Sequence, residues 1–180
     1  MQTGKRIILS QNPVADLYRL FSEYSYRLAT AESCTGGLVG GLLTSQPGIS
    51  SVYVGGFVTY TNQMKIDLLG VDPAAIAQYT EVSAEVAKQM ARGARERTGA
   101  DFAISLTGVA GPGGGSDKTP VGTVYIGISS PNETYAVRYC TQSDLPRHEI
   151  RCRAALLAIT LAIDEAKIYH LFSRKFGQSS

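Results

Sequence analysis

The segment Thr107-Gly108-Val109-Ala110-Gly111-Pro112-Gly113-Gly114-Gly115 constrains this chain more than any other part of it. It follows an apolar run over 102–107 that reads as a strand. Its five glycines carry an entropic cost on folding that packing at those positions cannot recover. A loop of this kind at the carboxyl end of a strand suits the close approach of backbone N–H groups to an anionic or planar ligand. A flexible surface connection is the bland alternative, and the loop alone names no ligand.

A second glycine-bearing turn lies near the start of the chain. Leu28-Ala29-Thr30-Ala31 reads as a short strand, Glu32-Ser33-Cys34-Thr35-Gly36-Gly37 as a turn, and the residues after it as an apolar helix. The first N–H groups of a helix lack intrahelical acceptors, so such a corner can hold an anion or a developing oxyanion. Ser33, Cys34 and Thr35 are then three nucleophile candidates at one corner. Capping of the helix by Ser33 or Thr35 would explain the same residues without chemistry.

With 180 residues and 44% hydrophobic content, the chain can bury the core of one domain. Its net charge of +2 argues against a nucleic-acid platform, and the basic stretch 147–153 contains Glu149, which limits it to a site-sized patch. Cys34, Cys140 and Cys152 have no metal-ligand spacing, which fits a reducing cytoplasm and no structural zinc. Lys5-Arg6 precede only three apolar residues, too few for a signal-peptide core. No apolar stretch approaches the ~20 residues of a membrane span.

Hydrophobic spacing predicts helices over 13–26, 36–45, 62–69, 83–98 and 146–168, with a short one over 73–79. Strands are expected over 28–31, 52–60, 102–107, 121–128 and 134–140, the last two forming an antiparallel hairpin through Ser129-Ser130-Pro131-Asn132. This alternation implies an α/β fold, a mixed and mostly parallel sheet covered on both faces. Residues 1–12 are read as a flexible leader, 13–170 as a single domain and 171–180 as a tail.

Two places set cations against a helix N-terminus. Lys65 lies in the first turn of the helix that Asn62 is expected to cap, where the helix dipole disfavours its charged form by roughly 0.3–1 kcal/mol. A lowered pKa is what a lysine general base requires, although most lysines are simply solvated. Arg147 and Arg151 lie one turn apart at the start of the final helix, where an anionic ligand would satisfy them. Pairing with Asp144 or Glu149 would satisfy them equally.

Several motifs fall in a fixed order: Ala31-Glu32-Ser33-Cys34-Thr35-Gly36-Gly37; Gly55-Gly56-Phe57-Val58-Thr59-Tyr60-Thr61-Asn62 with Lys65; Leu69-Gly70-Val71; the 107–115 loop; and Pro120-Val121-Gly122-Thr123-Val124. In that order they closely resemble the C-terminal domain of CinA, over roughly residues 13–168. The resemblance implies a three-layer α/β/α fold and a nicotinamide-nucleotide amidase. Such an enzyme converts nicotinamide mononucleotide to nicotinic acid mononucleotide and ammonia without a metal or other cofactor. It further implies Ser33 as nucleophile, Lys65 as general base and Tyr60 as a hydroxyl beside them. Thr107, the loop glycines Gly108, Gly111, Gly113 and Gly114, and Arg147 would bind substrate; the helix starts read above add Cys34, Thr35, Gly36, Gly37 and Arg151 to the expected binding set. The expected partners are a pyridine mononucleotide and further copies of the chain, with no nucleic acid and no membrane. The length leaves no room for the larger N-terminal domain of longer CinA proteins.

Thr80-Glu81-Val82-Ser83 departs from the family's usual Gly-Ala-Val-Ser, so Glu81 either puts a charge near the pocket or begins a helix. Asp144-Leu145-Pro146 replaces a short glycine-containing turn and bears on where Arg147 sits. Three rivals frame the reading. One is a Cys34 nucleophile with Glu32 and Lys65, since Glu32 and Cys34, two residues apart, would point to the same side of an extended turn. Another is a non-catalytic nucleotide-binding or competence-associated module. A P-loop kinase is the third, and it lacks its Gly-x4-Gly-Lys-Ser/Thr motif. His148 and His170, the only histidines, fall in none of the motifs, which argues against a Ser-His-Asp triad.

Overall fold

Alternate residues of the central strands differ in size, and that difference builds the layers. The computed structural model describes residues 11–176, with backbone alone for 175 and 176. In β3 (Phe102–Gly108), Phe102, Ile104 and Leu106 enter one core together with Val124, Ile126 and Ile128 of β4 (Thr123–Ser129). Helices α1 (Pro13–Glu23), α2 (Leu38–Thr44) and α6 (Arg147–Phe176) cover this face. The opposite face presents smaller side chains, Ala29 and Ala31 of β1 (Leu28–Glu32) and Ala103 of β3. There α3 (Asn62–Leu69), α4 (Pro73–Tyr79) and α5 (Ala84–Thr98) pack, through Leu69, Ile76, Val86, Met90 and Ala94.

The small residues let α5 lie almost on the sheet. Ser105 Oγ donates to the Ala87 carbonyl at 2.6 Å, and a Cβ placed on Gly127 would fall 2.3 Å from that same oxygen. Gly93 is equally tight against the end of α3, where a Cβ would lie 2.0 Å from the Leu69 carbonyl oxygen.

The five strands run in the order β2-β1-β3-β4-β5, with β2 at Tyr53–Val58 and β5 at Thr134–Cys140. Pairs β1/β2 and β1/β3 are parallel, whereas β3/β4 and β4/β5 are antiparallel, so β4 alone opposes the common direction. The three-layer α/β/α architecture with a mixed sheet is thus the one expected. Among the described residues, no helix is long and apolar enough to cross a membrane.

The elements differ from expectation mainly at their ends. Helix α1 stops at Glu23, short of Tyr26, because Ser25 turns the chain with φ +56°. Thr61, not Asn62, caps α3, its hydroxyl accepting from the Met64 N–H. Helix α6 continues to Phe176, past the expected end at 168 and through part of the expected tail. Of the expected leader, Asn12 caps α1 by accepting from the Ala15 N–H, and residues 1–10 lie outside the described region, as do 177–180.

Candidate active site

The carboxyl ends of β2, β1 and β3 lie side by side, and their backbones are locked beyond the regular ladder. The Ser33 N–H donates to the Leu106 carbonyl at 2.9 Å, and the Thr59 N–H to the Glu32 carbonyl at 2.8 Å. The chain leaves β1 for α2 on one face of the sheet and leaves β2 for α3 on the other. Adjacent strands whose connections diverge in this way open a crevice at their carboxyl ends.

A cavity of about 240 Å³ occupies that crevice. Ser33, Cys34, Tyr60, Lys65, Thr107, Gly108, Gly111, Gly113, Gly114 and Arg147 line it, so ten of the residues singled out from sequence meet at one place. Thr35, Gly36, Gly37 and Arg151 do not line it. Glu81, Val82, Val109 and Ala110 do, without having been counted as site residues; of these the sequence flagged only Glu81, as a charge of uncertain place.

Lys65 is 1% exposed. Its Nζ lies 3.1 Å from Ser33 Oγ and 3.0 Å from the Thr59 carbonyl oxygen. It forms no ion pair within 4.0 Å among the described residues. Burial lowers its pKa, opposed by the negative field of Glu81. Loss of water is the main cause, and Lys65 stands in the first turn of α3, where the sequence placed it. Ser33 is itself buried, at 8% exposure.

Cys34 lines the cavity, but burial pushes its thiol up to about 12, above the ordinary range for cysteine. A thiol so held stays protonated near neutrality and is a poor nucleophile. Glu32, its partner in the rival arrangement, faces away into the structure. Its carboxylate accepts from the N–H groups of Gly37 (3.0 Å), Val39 (3.1 Å) and Gly40 (2.9 Å). The start of α2 is therefore filled by a built-in anion, which corrects the expectation that it waits for a ligand. It also corrects the alternative in which Ser33 or Thr35 caps the helix, since neither hydroxyl does so. Gly36 and Gly37 serve the turn, with φ +58° and +92°, values that L side chains rarely adopt.

Tyr60 is 62% exposed, and its hydroxyl accepts from Arg147 at 3.4 Å; it makes no hydrogen bond to Ser33 or Lys65 among the described residues. Arg147 opens α6 and also donates to the Gly111 carbonyl at 2.7 Å, tying the glycine loop to the helix. Pairing with Asp144 or Glu149 does not occur: Glu149 takes Arg153 instead, 2.8 Å away. Two of the five N–H donors of Arg147 are engaged, which leaves donors for a ligand. Arg151 donates to the Thr35 carbonyl at 2.6 Å, and its Nε is buried without a hydrogen-bond partner, so it braces the turn from behind. Gly108 is required by β4, where a Cβ would fall 2.6 Å from the Thr123 carbonyl oxygen. Gly113 faces open space, as a ligand-facing glycine would.

Thr107 donates its hydroxyl to the Glu81 carbonyl at 2.7 Å, fixing the segment ahead of α5. That helix starts at Ala84, capped by Ser83, so Glu81 begins no helix and its place is on the cavity wall.

A family model described as the CinA C-terminal domain matches residues 11–166. A CinA-like protein of Chlorobaculum tepidum is 48% identical over 152 residues, covering 81% of this chain and 36% of the relative. The chain thus spans about a third of the length of that curated relative. The crystal structure of the competence/damage inducible protein CihA from Agrobacterium tumefaciens superposes with a TM-score of 0.81 at 38% identity, covering 87% of this chain and 97% of that one. The competence damage-inducible protein A from Klebsiella pneumoniae gives 0.80 at 32% identity, covering 84% and 93%.

Proposed function

The chain belongs to the CinA C-terminal-domain family, and on that premise we propose that it is an amidohydrolase acting on nicotinamide mononucleotide, with Ser33 as nucleophile and Lys65 as general base. One observation carries the reading: a lysine amine buried to 1% exposure, its pKa lowered by that burial, sits 3.1 Å from a serine hydroxyl on the wall of a polar cavity.

The chemistry follows from those contacts. A neutral Lys65 donates one N–H to the Thr59 carbonyl and turns its lone pair to Ser33. Ser33 Oγ adds to the carboxamide carbon as its proton passes to Nζ, giving a tetrahedral oxyanion and an ammonium. The ammonium protonates the departing nitrogen, the C–N bond breaks, and ammonia leaves an acyl ester on Ser33. Water then attacks the ester, giving a proton to Lys65 that returns to Ser33 Oγ as the acid departs. The plan is that of a serine hydrolase triad with lysine in place of histidine. A donor for the oxyanion comes from the turn at Cys34, which lines the cavity and whose N–H makes no hydrogen bond to another residue among those described. Arg147, at the mouth of the glycine loop, binds the phosphate.

The test is ammonia release with formation of the acid from nicotinamide mononucleotide, against nicotinamide riboside and free nicotinamide. Turnover favouring the mononucleotide is the expected result. Tight nucleotide binding with no ammonia would establish a binding module in its place.

A further inference from the structure

Two opposite charges line the cavity without neutralising each other. Arg147 is held by the Gly111 carbonyl and the Tyr60 hydroxyl. Glu81 makes no side-chain hydrogen bond or ion pair among the described residues, and it is near enough to Lys65 for its field to favour the charged lysine. Ser33, Lys65 and Glu81 line one cavity together, and Arg147 joins them from the start of α6.

Glu81 is presented there by a fixed backbone. Its carbonyl takes the Thr107 hydroxyl at 2.7 Å, and the residue before it, Thr80, holds φ +67°, a conformation uncommon for a β-branched residue. Ser83 Oγ closes the turn by donating to the Thr80 carbonyl at 2.9 Å. Strained residues persist where the surrounding structure enforces them, often beside a ligand. Glu81 is exposed on the cavity wall, and although its carboxylate opposes the neutral lysine that amide hydrolysis requires, its charge is unpaired and open to a ligand.

We infer that the Glu81 carboxylate is the counter-ion for a positively charged heteroaromatic ring, so that the site selects a cationic pyridinium amide over an otherwise similar neutral-ring amide. The inference rests on the amidohydrolase reading for the placement of the ring. With the carboxamide carbon against Ser33, the ring attached to it shares the cavity with the Glu81 carboxylate, and the phosphate reaches toward Arg147.

The experiment compares the wild type, Glu81→Gln and Glu81→Asp by calorimetric titration with nicotinamide mononucleotide, whose ring is cationic, and its dihydro form, whose ring is neutral. Ammonia release is followed in parallel, and thermal unfolding checks that each variant folds. Glu81→Gln should weaken binding of the cationic ring about fivefold, the size of one partly solvated ion pair. It should leave the neutral ring unchanged, and Glu81→Asp should retain the cation preference. Equal changes for both rings, or none, overturn the inference. Ammonia release with a ring preference that ignores Glu81 leaves the hydrolase reading standing alone; a Glu81-dependent preference without ammonia release does the reverse. Binding of neither nucleotide by the wild type ends both.

Discussion

Taking the Lys65 ammonium out of water, with a carbonyl and a hydroxyl as its hydrogen-bond partners, favours the neutral amine, and that preference has a sign that kinetics can read. The active base is the deprotonated form, so kcat/KM should rise with pH through the lowered pKa of Lys65 and level off below the ordinary lysine range. A pH–rate profile that is flat, or that rises only where an ordinary lysine titrates, would remove Lys65 from the role. Lys65→Arg keeps the charge but cannot give it up near neutral pH, and turnover should fall by about 10³ or more. Ser33→Ala should lose at least ~10³ in rate with substrate affinity largely kept. Cys34→Ala should cost far less, since its thiol is held protonated; activity lost on Cys34→Ala or alkylation but kept in Ser33→Ala would transfer the mechanism to the cysteine. Ser33 and Lys65 were both legible as residues, but burial, the main cause of the lysine's shift, was not. Burial arises from segments distant in sequence, whereas the helix N-terminus is the only local cause a sequence displays.

Helix α2 has seven residues, too few to be stable by itself, and owes its start to Glu32. Glu32→Ala would leave three N–H groups without their charged acceptor, costing about 3 kcal/mol, measurable as a shift in the urea midpoint. The Ser33 corner rests on that helix, so activity should fall with stability. The anion was readable in the sequence as a neighbour of Ser33; that it reaches forward to cap the helix was not, because the path of the turn depends on the φ values of Gly36 and Gly37. At α6 the expectation of two phosphate-binding arginines divides. Arg147 reaches the cavity and Arg151 holds the Thr35 carbonyl, although both lie in the first turns of one helix. Arg147→Ala should weaken mononucleotide binding by roughly 1.5–3 kcal/mol and barely affect the riboside. Equal losses for the two ligands would mean that Arg147 serves only to secure the loop at Gly111.

Across the whole molecule, the position of the site depends on how closely α5 approaches the sheet, since α5 follows the segment bearing Glu81 and touches β3, which carries Thr107. Gly127→Ala would force a methyl group to within 2.3 Å of the Ala87 carbonyl oxygen. The helix would have to lift, at a cost of about 3 kcal/mol, and calorimetry should show a lower Tm with a displaced active-site wall. The sequence by itself determined the elements, the two-sided covering of the sheet and most of the cavity's lining. Apolar periodicity, Pro13 and the glycine clusters are local signals, and strands that end in functional loops must bring those loops to one edge of a parallel sheet. Only the tertiary structure decided which charges remain available to a ligand. Glu32 is consumed by a helix and Arg151 by a carbonyl, Tyr60 turns to Arg147, and Lys65 is stripped of water while Glu81 is left facing the cavity. These outcomes depend on which buried groups find partners across the fold, and the order of residues along a chain does not encode those distances.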